Sequence, residues 1–143
     1  YTNAIGVSKD DEKAFQWYSK AADAGCVDAQ VNLGKCYAHG LGVAKDETQA
    51  VEWIRKAASR GHEEAQYQMG IFYEDGVGVS KDEKTAFEWF RKAADKGYAE
   101  AQHTIGECYE EGKGVDVDEQ QAILWYRKAA DQGYTEEEEE RAS

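Results

Sequence analysis

The sequence predicts an all-α stack of helix pairs built on 36-residue repeats. Three observations carry that expectation. Trp17, Trp53, Trp89 and Trp125 fall at steps of 36 residues. Apolar residues between them return at helical spacing. Glycine, and never proline, punctuates the pattern: Gly25, Gly61, Gly97 and Gly133 keep the same step, as do Gly6, Gly42, Gly78 and Gly114, each followed by valine. Segments 42–77 and 78–113 align without a gap and share 20 of 36 residues, which fixes the register. A fixed period in the range of about 20–50 residues marks stacked repeats rather than a globule with one central site.

The helices that carry the tryptophans start at Asp10, Asp46, Asp82 and Asp118. In residues 46–61, Ala50, Val51, Trp53, Ile54, Ala57 and Ala58 form one wide apolar stripe. The leading aspartate suits an N-cap, where its carboxylate accepts unpaired backbone N–H groups and contributes about 1 kcal/mol. Gly61 suits the left-handed stop. Acids begin these helices, and Arg55, Lys56 and Arg60, or Arg91, Lys92 and Lys96, end them, which complements the helix dipole. The tryptophans share the phase of the alanines, so each is expected to anchor the core of its repeat.

A second helix is expected over 27–39, 63–75 and 99–111. Ala29, Gln30, Gly34 and Tyr37 recur in every copy, with Leu33, Met69 or Ile105 between them. At about 100° per residue they share one face, which is therefore constant between repeats. Gly34, Gly70 and Gly106 each lose about 1 kcal/mol of helix propensity. Close approach of a neighbouring helix is the expected reason for them. The loops Gly40-Leu41-Gly42-Val43, Gly76-Val77-Gly78-Val79 and Gly112-Lys113-Gly114-Val115 follow, with glycine at both tight backbone positions.

Ala29, Leu33, Gly34, Tyr37, Gly40, Gly42, Val43, Asp46, Ala50, Trp53, Lys56, Ala57, Ala58 and Gly61 together follow a pattern that resembles the Sel-one-like repeat family, a relative of the tetratricopeptide repeat. The resemblance covers about residues 1–134. Its period is 36 rather than the tetratricopeptide's roughly 34 residues. Glycine replaces the proline of the repeat junction, which accounts for 14 glycines beside no proline. The resemblance implies a right-handed superhelical solenoid of antiparallel helix pairs, used to hold protein partners. About three and a half repeats are expected over 1–134, then a degenerate acidic tail over 135–143, whose Glu136–Glu140 run is solvated charge, a linker or an interaction tail. Tyr1 stands 36 residues before Tyr37, in the last turn of a repeat's helix, so a fragment of a longer array is expected.

By the same resemblance, the second helix of each repeat lines the concave surface. Its side about 180–300° round from Ala29 varies between repeats, so packing does not dictate it. The first copy places Asp28, Val31, Asn32, Lys35, Ala38 and His39 there. The second places Glu64, Tyr67, Gln68, Ile71, Glu74 and Asp75, and the third Glu100, His103, Thr104, Glu107, Glu110 and Glu111. Eight acids and one lysine leave this strip at −7 with histidine neutral. The expected partner is a protein or peptide segment, basic or polar and extended, with Val31, Tyr67 and Ile71 as apolar contacts, since a few buried anchors dominate affinity. The alternative is a structural spacer or regulatory module of a larger protein, with weak head-to-tail self-association through uncovered repeat ends.

The same residues speak against other functions. Seventeen basic against 29 acidic residues give a net charge of −12, which opposes phosphate neutralisation, so no nucleic-acid partner is expected. Mean hydropathy is −0.82, and no apolar run approaches the roughly 18 residues of a membrane span, so no direct membrane insertion is expected. His39, His62 and His103 lack metal-ligand spacing. No Ser, Cys or carboxylate constellation suits acyl transfer or hydrolysis, and the Gly-x-Gly-Val loops lack the residues that cradle phosphate. Catalysis, metals and cofactors are therefore not expected. Cys26 and Cys36 lie at opposite ends of one helix. Cys36 and Cys108 lie two repeats apart, on the order of 16–20 Å at a helix spacing of about 8–10 Å, beyond the roughly 7 Å a disulfide tolerates. No disulfide is expected, unlike the family's cysteine-rich branch, and a reducing compartment such as the cytoplasm is favoured.

Overall fold

The structure is a computed structural model that describes residues 9–134. Expectations for Tyr1, Gly6 and the tail over 135–143 fall outside the described residues. Among the described residues seven helices follow in order: α1 (Lys9–Asp23), α2 (Val27–His39), α3 (Glu47–Ser59), α4 (Glu63–Asp75), α5 (Glu83–Asp95), α6 (Ala99–Glu111) and α7 (Glu119–Asp131). No strand occurs among the described residues. The fold is an all-α helical repeat in which each helix packs on the next. The second helices fall where the periodicity places them.

Two kinds of turn build the stack. Between repeats the chain reverses at one glycine: Gly61 sits at φ 92°, and His62 N–H donates to Ala57 O at 3.2 Å across it. That bond closes the helix end while the next helix is already starting. Within a repeat, α2 ends at Gly40, in the left-handed conformation, and the loop closes through Asp46 N–H donating to Tyr37 O at 2.9 Å. Asp82 N–H to Tyr73 O and Asp118 N–H to Tyr109 O repeat this closure. The same aspartates then cap the following helices. Oδ1 of Asp46, Asp82 and Asp118 accepts from the N–H of Gln49, Thr85 and Gln121, each at 3.1 Å.

The mid-helix glycines do bring helices together. A Cβ on Gly70 would lie 2.5 Å from the Phe90 ring, and one on Gly34 would lie 2.6 Å from Ile54. Each second helix therefore receives, in its glycine notch, the side chain that follows the tryptophan. Ile54 and Phe90 are almost wholly buried and lead the core, with Leu33, Met69 and Ile105.

The tryptophans depart from expectation. Trp125 is 4% exposed, Trp53 and Trp89 are half-buried, and Trp17 is 71% exposed. They do not anchor each repeat's core; the neighbouring Ile54 or Phe90 does. Trp53 instead leans on Ala22 of α1 and on Ala29 and Leu33 of α2. Trp89 packs on the cluster of Ala57, Ala58, Ala65 and Met69, and Trp125 joins Ala93, Ala94, Ala101 and Ile105. A tryptophan is thus buried by the two helices that precede its own, and α1 is the first described helix.

Candidate protein-interaction surface

Helices α2, α4 and α6 lie in sequence along one side of the stack, pinned from behind by an invariant glutamine. Gln30, Gln66 and Gln102 are buried and donate from Nε2 to Ala22 O, Ala58 O and Ala94 O at 3.4, 3.2 and 3.2 Å. Each second helix thereby holds the end of the helix before it. The recurrence of this polar residue on a packing face is legible in the sequence; its partner is not.

The opposite side carries the variable residues. Asp28, His39, Asp75, Glu100, Glu110 and Glu111 are exposed, while Asn32, Lys35, Glu64, Tyr67, Gln68, Ile71, Glu74, Thr104 and Glu107 are partly so. Two members of the expected set do not belong to this surface. Val31 is 2% exposed and His103 is 4% exposed. They share a repeat position with Tyr67, and a helical wheel shows why they look accessible: it sees one helix alone. In the stack the last helix of the same repeat, and the tyrosine that closes that repeat, fold over that edge. The Tyr67 ring meets Phe90 at 5.4 Å and Tyr98 at 5.5 Å, and His103 meets Tyr126 and Tyr134 at 5.0 and 5.2 Å. Val31 packs in the cluster of Val51 and Ile54. Of the expected apolar contacts, Ile71 keeps an accessible flank and Tyr67 reaches Thr104 with its hydroxyl at 3.5 Å.

Charge is unevenly spread along the strip. Lys35 Nζ meets Glu64 Oε2 at 2.8 Å and cancels one acid near the first junction. His62 caps α4 by accepting Ala65 N–H at Nδ1, so its Nε2–H faces Asp28 Oδ1 at 3.2 Å. Towards α6 the acids dominate. Glu110 accepts from the Tyr126 hydroxyl at 2.7 Å, Glu111 pairs with Lys113 at 3.2 Å, and Glu107 lies 3.8 Å from His103 Nδ1. Burial pushes the Glu74 carboxyl up; Lys113 opposes this, while Asp75, Glu83 and Glu111 add to it. Cys108 beneath them is pushed up to about 12, chiefly by burial.

Two hollows accompany the helices. A small one of about 50 Å³ opens on the strip between α2 and α4, against Gly34, Ile54 and Phe72. Sequence reasoning missed it because its floor comes from three helices. A larger one of about 760 Å³ runs along α3 beside Gln30, Glu52 and Ser59. Its cations are already engaged, two of them by neighbouring repeats: Arg60 donates to Gly25 O at 3.1 Å, Arg55 to the Tyr73 hydroxyl at 3.2 Å, and Lys56 stacks on Trp53. That hollow reads as a seam between repeats. Cys36 and Cys108 are buried as small hydrophobes, and Cys26 is exposed. Among the described residues no group of three or more His, Cys, Asp or Glu could hold a metal ion, and no helix is long and apolar enough to cross a membrane.

The family model of the Sel1 repeat matches residues 1–26, 27–62, 63–98 and 99–134. The chain belongs to the Sel1 repeat family. Its Sel1 repeats break between His62 and Glu63 and between Tyr98 and Ala99, at the single-glycine turns described above. Among solved structures, a Sel1 repeat protein from Oxalobacter formigenes is 43% identical over 90% of this chain and 53% of its own length, with a TM-score of 0.84. The protein c5321, a protective antigen of uropathogenic Escherichia coli, is 42% identical over 89% of this chain and 27% of its own, with a TM-score of 0.86. The Helicobacter pylori cysteine rich protein B is 27% identical over 88% of this chain and 90% of its own, with a TM-score of 0.69. The chain thus spans about half or less of the first two relatives. No curated protein matches it. Sel1 repeats generally serve as non-catalytic scaffolds that bind proteins.

Proposed function

We propose that this array is a non-catalytic scaffold that binds an extended, basic or polar segment of a protein partner across α2, α4 and α6, the concave face of the superhelix. One observation carries the reading. The strip is accessible and changes from repeat to repeat, while the packing face behind it stays fixed. Its charge of −7, concentrated towards α6, selects against anionic partners. The test uses fluorescein-labelled dodecapeptides that alternate serine with Lys, Asn or Glu. The lysine peptide is expected to bind, weakening with salt, and to shift backbone amide resonances of α2, α4 and α6. Glu107→Lys with Glu111→Lys should abolish that binding. Equal binding of the glutamate peptide, or shifts confined to other helices, would overturn the reading.

A second reading, a spacer that self-associates head to tail, rests on exposed Ile123 and Leu124 on α7 and exposed Trp17 on α1. Sedimentation equilibrium distinguishes it: growth of mass with concentration, lost in Leu124→Glu, supports it, and a constant monomer mass rejects it.

A further inference from the structure

The hollow of about 760 Å³ along α3 lies behind the strip, where the buried glutamines pin the helices. Arg55, Lys56 and Arg60 line it with Glu52, a local charge of +2 in a chain of net −12. Charges more than about 8 Å away are largely screened at physiological salt, so the local sign decides what settles there. None of the three cations has a carboxylate partner among the described residues. Arg60 and Arg55 donate to neutral oxygens, and Lys56 stacks on a ring.

The other repeats supply two groups that this hollow lacks. In α5, Arg91 holds the place of Arg55, and Asp95 one turn on accepts from its Nε at 3.0 Å. Asp23 and Asp131 stand at the same position in α1 and α7, but α3 has Ser59. Arg55 therefore has no such acid beside it and reaches the Tyr73 hydroxyl instead. The second gap lies at Gln30. It is 6% exposed and lines the hollow, and its Oε1 accepts no hydrogen bond among the described residues. A buried acceptor left without a donor is costly. In the last repeat the equivalent oxygen, Oε1 of Gln102, accepts from Nε2 of Gln132 at 2.8 Å. Arg60 stands at the place of Gln132 but turns to the Gly25 carbonyl.

We propose that the α3 hollow is a second docking site, for an acidic peptide segment that carries glutamine or asparagine beside aspartate or glutamate. One carboxylate takes the place of the absent aspartate on Arg55. The carboxamide donates to Gln30 Oε1 as Gln132 does to Gln102. Arg60, exposed at the rim, leaves Gly25 to pair with a second acid and opens the way to Gln30. A guanidinium bonds a carboxylate more strongly than a neutral oxygen, which favours both exchanges. The acidic strip repels the same segment, so this site takes partners that the strip rejects.

Fluorescein-labelled serine nonapeptides with a central Asp-Gln-Asp, Asp-Leu-Asp or Asn-Gln-Asn, titrated with the whole chain, test the proposal. The Asp-Gln-Asp peptide is expected to bind at least tenfold more tightly than the other two. It should shift backbone amide resonances of α3 and of the Gly25 turn. Ser59→Asp copies the residue of the other repeats, so the helix tolerates it. It should weaken that peptide at least fivefold while leaving the circular dichroism unchanged. Arg60→Gln copies Gln132, gives Gln30 its donor and should leave glutamine with no advantage over leucine. Absent or equal binding of the three peptides, shifts confined to other helices, or indifference to Ser59→Asp overturns the inference. The strip reading is judged separately, by the lysine peptide and its shifts in α2, α4 and α6.

Discussion

Trp17 and Trp125 occupy one repeat position and have opposite fates, because burial here is a property of neighbours and not of residue type. Trp125 is covered by α5 and α6, with the Arg91 guanidinium over its ring at 4.9 Å and Lys128 at 4.0 Å. Trp125→Ala should therefore lower unfolding free energy by about 3–5 kcal/mol, and Trp17→Ala should change it by less than about 0.5 kcal/mol, both read from urea titrations. Equal losses would restore the tryptophan as an anchor of its own repeat. At Gly70 the opposite error is punished: an added methyl meets the ring of Phe90, which the core holds rigid, so Gly70→Ala should lose about 1–3 kcal/mol despite its better helix propensity. Glu74 carries a third residue-level expectation. Its folded pKa is raised by burial and by neighbouring acids, so its ionised form destabilises the fold at every pH above that raised value. Glu74→Gln should raise the melting temperature at pH 7, and the gain should shrink as pH falls through the raised folded value and vanish below the ordinary value of 4.5. A variant that melts lower at neutral pH would contradict this. Glu74 also lies on the proposed binding strip, where stability is commonly given up for function.

At the scale of the helix, the sequence was most informative where structure is local. The bounds of α2, α4 and α6 followed from apolar period and glycine, and Asp46, Asp82 and Asp118 announced their caps, because a cap involves only three or four residues. Asp46→Ala should cost about 1 kcal/mol. The Asp82 carboxyl is held below its usual range by the N–H and hydroxyl of Thr85. A depressed folded pKa adds stability that is fully present above the unfolded value near 3.8 and is lost as pH falls through the folded one. Asp82→Asn should thus lower the melting temperature at pH 7 and converge with the parent in strong acid. What involves several helices at once was not legible. Val31 and His103 lie on the varying side of an isolated wheel, yet the following helix of their own repeat closes over them, joined at His103 by Tyr134. The hollow at the first junction needs Ile54 and Phe72 from two other helices. Its one readable sign is Ala38 standing where glutamates recur.

At the scale of the array, the helices of the described residues pack chiefly on the next one in the chain, so stability is a sum of repeat and interface contributions rather than one shared core. The helices differ sharply in what they contribute. Among described residues, α1 buries only Ala22 and α7 buries Ala122, Trp125 and Ala129, whereas α3 buries five residues and α2 six. Opening an end helix breaks one interface; opening a central one breaks two. Local opening should therefore require least free energy at α1, somewhat more at α7, and most across α2 to α6. Amide hydrogen exchange followed by mass spectrometry reads this directly. Peptides from α1 should exchange first, with α7 next, under conditions where α4 and α5 remain protected. Trp125→Ala should spread rapid exchange from α7 into α5 and α6, because it removes the ring that joins the three helices. Uniform protection from α1 to α7, with a single shared opening free energy, would mean that the stack unfolds as one cooperative unit and that nearest-neighbour additivity does not hold for it.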